Sequence, residues 1–150
     1  VRLSSVAAKA GSRAILPPRR RKVTQRILVV DDEPHIRYMI QAVLLDEHYQ
    51  VEAAGSGLGA LQKLETSPVD LAIVDLWLPD IDGLTLAEAI RMLDPGTPVI
   101  MITAYGTPVF ESIASHPAIS HYIHKPFVLD RLLEIVRESM SAPSRAGNGE

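Results

Sequence analysis

The sequence predicts an α/β fold: a doubly wound, five-stranded parallel sheet with helices on both faces. Three observations carry this. Short β-branched runs alternate along the chain with stretches of helical period. Each run is separated from the next by a helical stripe, the connection that parallel strands require. The chain has 150 residues, of which 47% are hydrophobic and 22% charged, the balance of one globular domain with a core of its own. The crossovers are expected to be right-handed.

The elements follow in order. Ile27–Val30 is a β-branched run that ends in Asp31 and Asp32. Over residues 34–46, Ile36, Met39, Ile40, Val43 and Leu44 fall on one helical face. Val51–Ala54 is a weaker strand, closed by Gly55-Ser56-Gly57. Leu58, Leu61 and Leu64 mark a short helix that Ser67–Pro68 stops. Leu71–Val74 is a strong strand ending at Asp75, and Pro79 to Gly83 is a loop. Leu86, Ala87, Ile90 and Leu93 stripe the third helix, which Pro95–Gly96 closes. Val99–Ile102 leads to Thr103. A short helix is expected over 107–116, with Pro108 in its first turn. Ile119–Ile123 is the last strand, followed by His124, Lys125 and Pro126. Leu129, Leu132, Leu133, Val136 and Met140 face the core from the last helix.

Composition excludes several classes. With no cysteine, disulfides, zinc–thiolate sites and thiol catalysis are out. No apolar run approaches the roughly 18 residues of a membrane span. The formal net charge of −3 conceals an asymmetry. Residues 1–26 hold eight Lys/Arg and no acid, whereas residues 27–150 hold seven Lys/Arg and all 18 acids, a net of −11. An acidic body is not the footprint of a nucleic-acid-binding domain. The expected organisation is a basic, flexible extension over 1–25, a domain over 26–140 and a flexible tail over 141–150.

The chemistry lies at the strand ends. Asp31 and Asp32, Asp75, Thr103 and Lys125 follow four of the five strands, with intervals of 43 residues from Asp32 to Asp75, 28 to Thr103 and 22 to Lys125. In a parallel sheet these ends share one edge, where such folds bind their ligands. Each residue also has a plainer reading: Asp32 as a helix cap, Asp75 as the start of a turn, Thr103 as a strand former, Lys125 as a solvated charge. Together, crowded carboxylates raise one another's pKa unless a cation compensates. An all-oxygen site open to water suits Mg²⁺.

The segments ILVVDDEP, LAIVDLWLPDIDG, PVIMITAYG and HYIHKPF, in this order and at these intervals, resemble the receiver domain of two-component response regulators. The resemblance spans about residues 26–140 and implies the flavodoxin-like strand order 2-1-3-4-5. It implies that Asp75 accepts a phosphoryl group from a histidine kinase or phosphotransfer protein. Asp32 is then a direct Mg²⁺ ligand, Asp31 holds the same ion, and the Trp77 carbonyl is its main-chain ligand. Thr103 resembles the switch hydroxyl, Tyr122 the switch aromatic and Lys125 the amine that pairs with the phosphoryl group. The Lys125–Pro126 bond is expected to be cis. The family further implies a cytoplasmic protein, a signalling domain that is not an enzyme, an output partner unknown from the sequence, and the option of a homodimer.

Other features are this chain's own. Trp77 and Tyr105 are expected to flank the entrance of the site and to slow loss of the phosphoryl group. Ser115-His116-Pro117-Ala118 replaces a small, Gly-containing stretch common in the family, which weakens the case for a dimer through that face. His121 and His124 have odd spacing and no HExxH pair exists, so surface or partner contacts are expected of the histidines rather than metal binding. Two other functions fit part of this pattern. A receiver-like binding module would work without phosphorylation. An aspartate-nucleophile phosphatase would need a second acid two residues after Asp75, where Trp77 stands.

Overall fold

The computed structural model describes residues 24–104 and 115–141. Its elements are β1 (Arg26–Val30), α1 (Pro34–Asp46), β2 (Gln50–Ala54), α2 (Gly57–Thr66), β3 (Leu71–Asp75), α3 (Gly83–Leu93), β4 (Val99–Ala104), β5 (His121–Lys125) and α4 (Leu129–Ser141). The five strands form one parallel sheet in the order β2-β1-β3-β4-β5. The expected fold class and strand order are therefore found. Residues 107–114 of the expected fourth helix, the extension over 1–23 and the tail over 142–150 lie outside the described residues.

Side-chain parity sorts the sheet into two cores. Leu28, Val30, Ala72, Val74, Val99 and Met101 face α2 and α3, where Ala60, Leu86, Ala87 and Ile90 complete a buried cluster. Ile27, Val29, Leu71, Ile73, Ile100, Ile102 and Ile123 face α1 and α4, packing with Ile40, Leu44, Leu132 and Val136. β3 is buried along its whole length, so its sequence reads as a continuous apolar run rather than an alternation. Burying each such Ile, Leu or Val contributes about 1.5–3 kcal/mol before entropy is charged. β2 and β5 are the edges, and both are only partly buried.

Helix ends follow local chemistry. Pro34 opens α1, where its missing N–H costs nothing. Ser56 caps α2 by accepting from Gly59 N at 3.0 Å, and Asp82 caps α3 by accepting from Thr85 N at 2.8 Å. α1 ends at Asp46 with Glu47 as its cap, and His48 follows with a φ of 72°, left-handed although it is not glycine.

One boundary differs from expectation. The last strand begins at His121 rather than Ile119 and runs through Lys125. Ile119 closes a turn instead, its N–H donating to the His116 carbonyl at 3.1 Å, while its side chain packs against the α2/α3 core. A β-branched apolar residue can serve a loop as well as a strand when the core lies beneath it.

Candidate functional site

The sheet delivers the polar strand ends to one edge, as the order of elements requires. Asp31 lies just beyond β1 and its N–H donates to the Ala54 carbonyl at 3.2 Å. Asp75 ends the neighbouring β3, paired with Ile102 of β4. Thr103 and Ala104 of β4 lie opposite His124 and Lys125 of β5. Asp31, Asp32 and Asp75 each offer a carboxylate oxygen within 4.8 Å of the others.

Asp31 is fully buried and Asp75 nearly so, while Asp32 is exposed. Asp31 Oδ1 accepts from Glu33 N at 2.9 Å. Its Oδ2 is buried with no hydrogen-bond partner, and Lys125 Nζ stands 3.4 Å away. Asp75 is fixed from both sides: Oδ1 accepts from Trp77 N at 3.2 Å and Oδ2 from Lys125 Nζ at 2.9 Å. Lys125 also lies 3.4 Å from Glu33 Oε1, so one ammonium faces three carboxylates.

Electrostatics follow from that crowding. Burial pushes the Asp31 carboxyl above its ordinary 3.8, and the nearby Asp75 charge adds to this against the pull of the Glu33 N–H and Lys125. Burial works against the Lys125 ammonium, but the hydrogen bond and charge of Asp75, then the charge of Asp31, outweigh it. They hold its pKa above the ordinary 10.5.

The loop after β3 is tied down by contacts that span the sequence. Asp80 accepts from Gly57 N at 2.9 Å and Leu58 N at 2.8 Å, at the start of α2. These bonds hold its carboxyl below the usual value. Gly83 N donates to the Leu76 carbonyl at 2.6 Å. A Cβ on Gly83 would stand 2.3 Å from the Asp75 carbonyl oxygen, so only glycine lets α3 start this close to the site. Arg37 donates to the Asp31 carbonyl at 2.6 Å.

Thr103 is buried, and its Oγ1 lies 3.1 Å from His124 Nδ1. Tyr122 is 39% exposed, and its ring meets that of His124 edge-on with centroids 5.9 Å apart. Trp77 is 55% exposed beside Asp75. The Lys125–Pro126 bond is cis, as the resemblance implies. Tyr105 lies outside the described residues.

The geometry therefore gathers Asp31, Asp32, Asp75 and Lys125 at one place, with Thr103 on the next strand end. Glu33, Arg37, Asp80 and His124 were not singled out by the sequence as parts of the site. His116 was expected to make surface contacts, and it bonds Glu88 Oε2 at 2.9 Å and accepts from Ala118 N at 3.0 Å.

The donor set suits a hard divalent cation. Three carboxylates offer oxygen ligands, one of them carries a buried oxygen with no hydrogen-bond donor, and burial and the Asp75 charge both disfavour its ionised form. A cation beside it would relieve all three conditions.

Residues 27–137 match the family described as the response regulator receiver domain. This chain belongs to that family, the receiver domains of two-component signalling. It is 36% identical over 115 residues to an NtrX-like response regulator of Rickettsia bellii, a match that covers 75% of this chain and 24% of that protein. It is 32% identical over 120 residues to the chemotaxis protein CheY of Bacillus subtilis, covering 79% of this chain and all of CheY. Among solved structures, the response regulator TrrA of Thermotoga maritima, in complex with Mg²⁺ and BeF, superposes with a TM-score of 0.68 at 36% identity. That match covers 77% of this chain and 99% of TrrA. The chain thus spans about a quarter of the length of the NtrX-like relatives it matches. Among the described residues, no helix is long and apolar enough to cross a membrane.

Proposed function

We propose that this receiver domain accepts a phosphoryl group on Asp75 from a phosphohistidine of a histidine kinase or phosphotransfer protein. Asp31, Asp32, Asp75 and the Trp77 carbonyl would hold Mg²⁺. The observation that carries this reading is the setting of Asp75: one oxygen bonded to Trp77 N, the other to Lys125, with two further carboxylates within ligand range. The bound Mg²⁺ and BeF of TrrA support it by similarity.

The step is an in-line transfer. A carboxylate oxygen of Asp75 forms the new O–P bond, the N–P bond of the donor breaks, and the imidazole leaves with the electron pair and takes up a proton. When bound, the divalent ion neutralises the transferring oxygens. Trp77 N and Lys125 fix the nucleophile before the donor arrives, so catalysis rests on positioning. The Lys125 ammonium remains charged at neutral pH, because its neighbours hold its pKa high, and it stabilises the charge that develops on the phosphoryl oxygens. The domain promotes its own phosphorylation and dephosphorylation and is not an enzyme with a separate substrate.

The product is a new near-dianion at the rim. Thr103 supplies the hydroxyl that meets it, and Tyr122 occupies the space the hydroxyl vacates. The charge change is thereby coupled to the surface of β4, β5 and the segment between them, where an output partner or a second copy would read it.

The test uses Trp77, the only tryptophan, as reporter. Titration with Mg²⁺ should change its fluorescence, and beryllofluoride should change it again. Asp75→Asn should abolish the second response. If wild-type protein responds to neither, the domain works as a binding module without phosphorylation.

A further inference from the structure

We propose that His124 is a positioning residue which holds the Thr103 hydroxyl away from Asp75 in the resting state and so acts as a brake on the switch. The inference rests on the reading of Thr103 as the hydroxyl that meets the phosphoryl group.

The geometry carries it. β5 pairs with β4 so that His124 lies directly opposite Thr103, and parallel neighbours in register point to the same face. Asp31 continues the parity of Ile27 and Val29, Asp75 that of Leu71 and Ile73, and Lys125 that of Ile123, all on the α1/α4 face. Thr103 continues the parity of Val99 and Met101, on the α2/α3 face. The hydroxyl therefore has a partner on its own face, His124 Nδ1 at 3.1 Å, and must leave that partner to reach across the rim.

A threonine hydroxyl has one proton to donate. Neutral imidazole with its proton on Nε2 accepts that proton at Nδ1. Thr103 then cannot donate to a phosphoryl oxygen without breaking the bond to His124. Thr103 is buried, so the bond is not simply exchanged for one to water. The edge-on contact with Tyr122 orients the imidazole, which links both switch residues to the same ring.

Removing the nitrogen while keeping the ring should release the brake. His124→Phe retains the ring contact with Tyr122 and should bind beryllofluoride, in the presence of Mg²⁺, about fivefold more tightly than wild type, the worth of one hydrogen bond. Its Mg²⁺ titration should be unchanged. His124→Asn places an amide atom where Nδ1 stands and should behave like wild type. In a Thr103→Ala background His124→Phe should have no effect. In unaltered, ¹⁵N-histidine-labelled protein, Nδ1 of His124 should give the signal of an unprotonated acceptor and move when beryllofluoride binds. Equal affinities for wild type and His124→Phe, equal tightening by Phe and Asn, or a protonated Nδ1 in the resting state would overturn the brake. A wild-type protein blind to beryllofluoride would overturn it together with the phosphoacceptor reading.

Discussion

The two halves of the rim are built differently. The acid half, at the ends of β1 and β3, is wired to backbone: Asp31 accepts from Glu33 N, Asp75 from Trp77 N, and the loop between β3 and α3 is pinned by Asp80 and Gly83. The other half, at the ends of β4 and β5, is joined side chain to side chain: Thr103 to His124, and His124 to Tyr122. Backbone donors cannot rotate away, whereas a hydroxyl and a ring can. One half holds a geometry, and the other is where we propose that the geometry changes. Lys125 belongs to β5 yet bonds the acid at the end of β3, and is the bridge between the two halves.

That division can be attacked from its rigid side first. Gly83→Ala forces a methyl group into the Asp75 carbonyl and should cost about 3 kcal/mol, read as a fall in the denaturant midpoint with loss of the Mg²⁺ response. If it is tolerated without either loss, the acid half is less fixed than its contacts indicate.

Asp31→Asn separates binding from stability. The folded carboxyl has a raised pKa, so the native state binds the proton more readily than the unfolded chain does. Metal-free stability from this group is therefore present at low pH and is lost as pH rises from about 3.8 through the raised value. The Asn variant should lack that part of the pH dependence and melt higher than wild type at neutral pH without Mg²⁺. It should also bind Mg²⁺ poorly. Thr103→Ala, on the other half, should leave the Mg²⁺ titration within about twofold of wild type. Thermal melts across pH and fluorescence titrations check both.

The smallest expected effect is at the two aromatics that the sequence sets near the site. Trp77 stands half exposed two residues after Asp75, where its side chain would shield the phosphoryl group from water. Trp77→Asn and Tyr105→Ala should each speed loss of the phosphoryl group by a factor of about two to five, on the order of 1 kcal/mol in barrier. Unchanged dephosphorylation in both would remove the aromatic pair from the mechanism.

The same division explains what could be read from sequence. Residues 34–46 were legible as a helix because Pro34 and the spacing of Ile36, Ile40, Val43 and Leu44 are local signals. The acids were legible because strand ends in a parallel sheet share an edge, whatever the register. The role of Asp80 was not, because its partners Gly57 and Leu58 lie more than 20 residues earlier and nothing local distinguishes it from a solvated loop acid. The Thr103–His124 bond was hidden for a related reason. It depends on which residue of β5 faces Thr103, and the strand was expected to start two residues early, at Ile119. The odd spacing of His121 and His124 did show that they point to opposite faces. It did not show which of the two would find a hydroxyl.

Because His124 and Lys125 are sequence neighbours that project to opposite sides of one edge strand, the domain separates two properties within a single dipeptide. The lysine bonds the Asp75 carboxylate. With His124 acting as proposed, the readiness to signal would be tuned at the position before the lysine while affinity for the ion is left alone. For anyone building sensors from such modules, that position is a dial that does not disturb the engine.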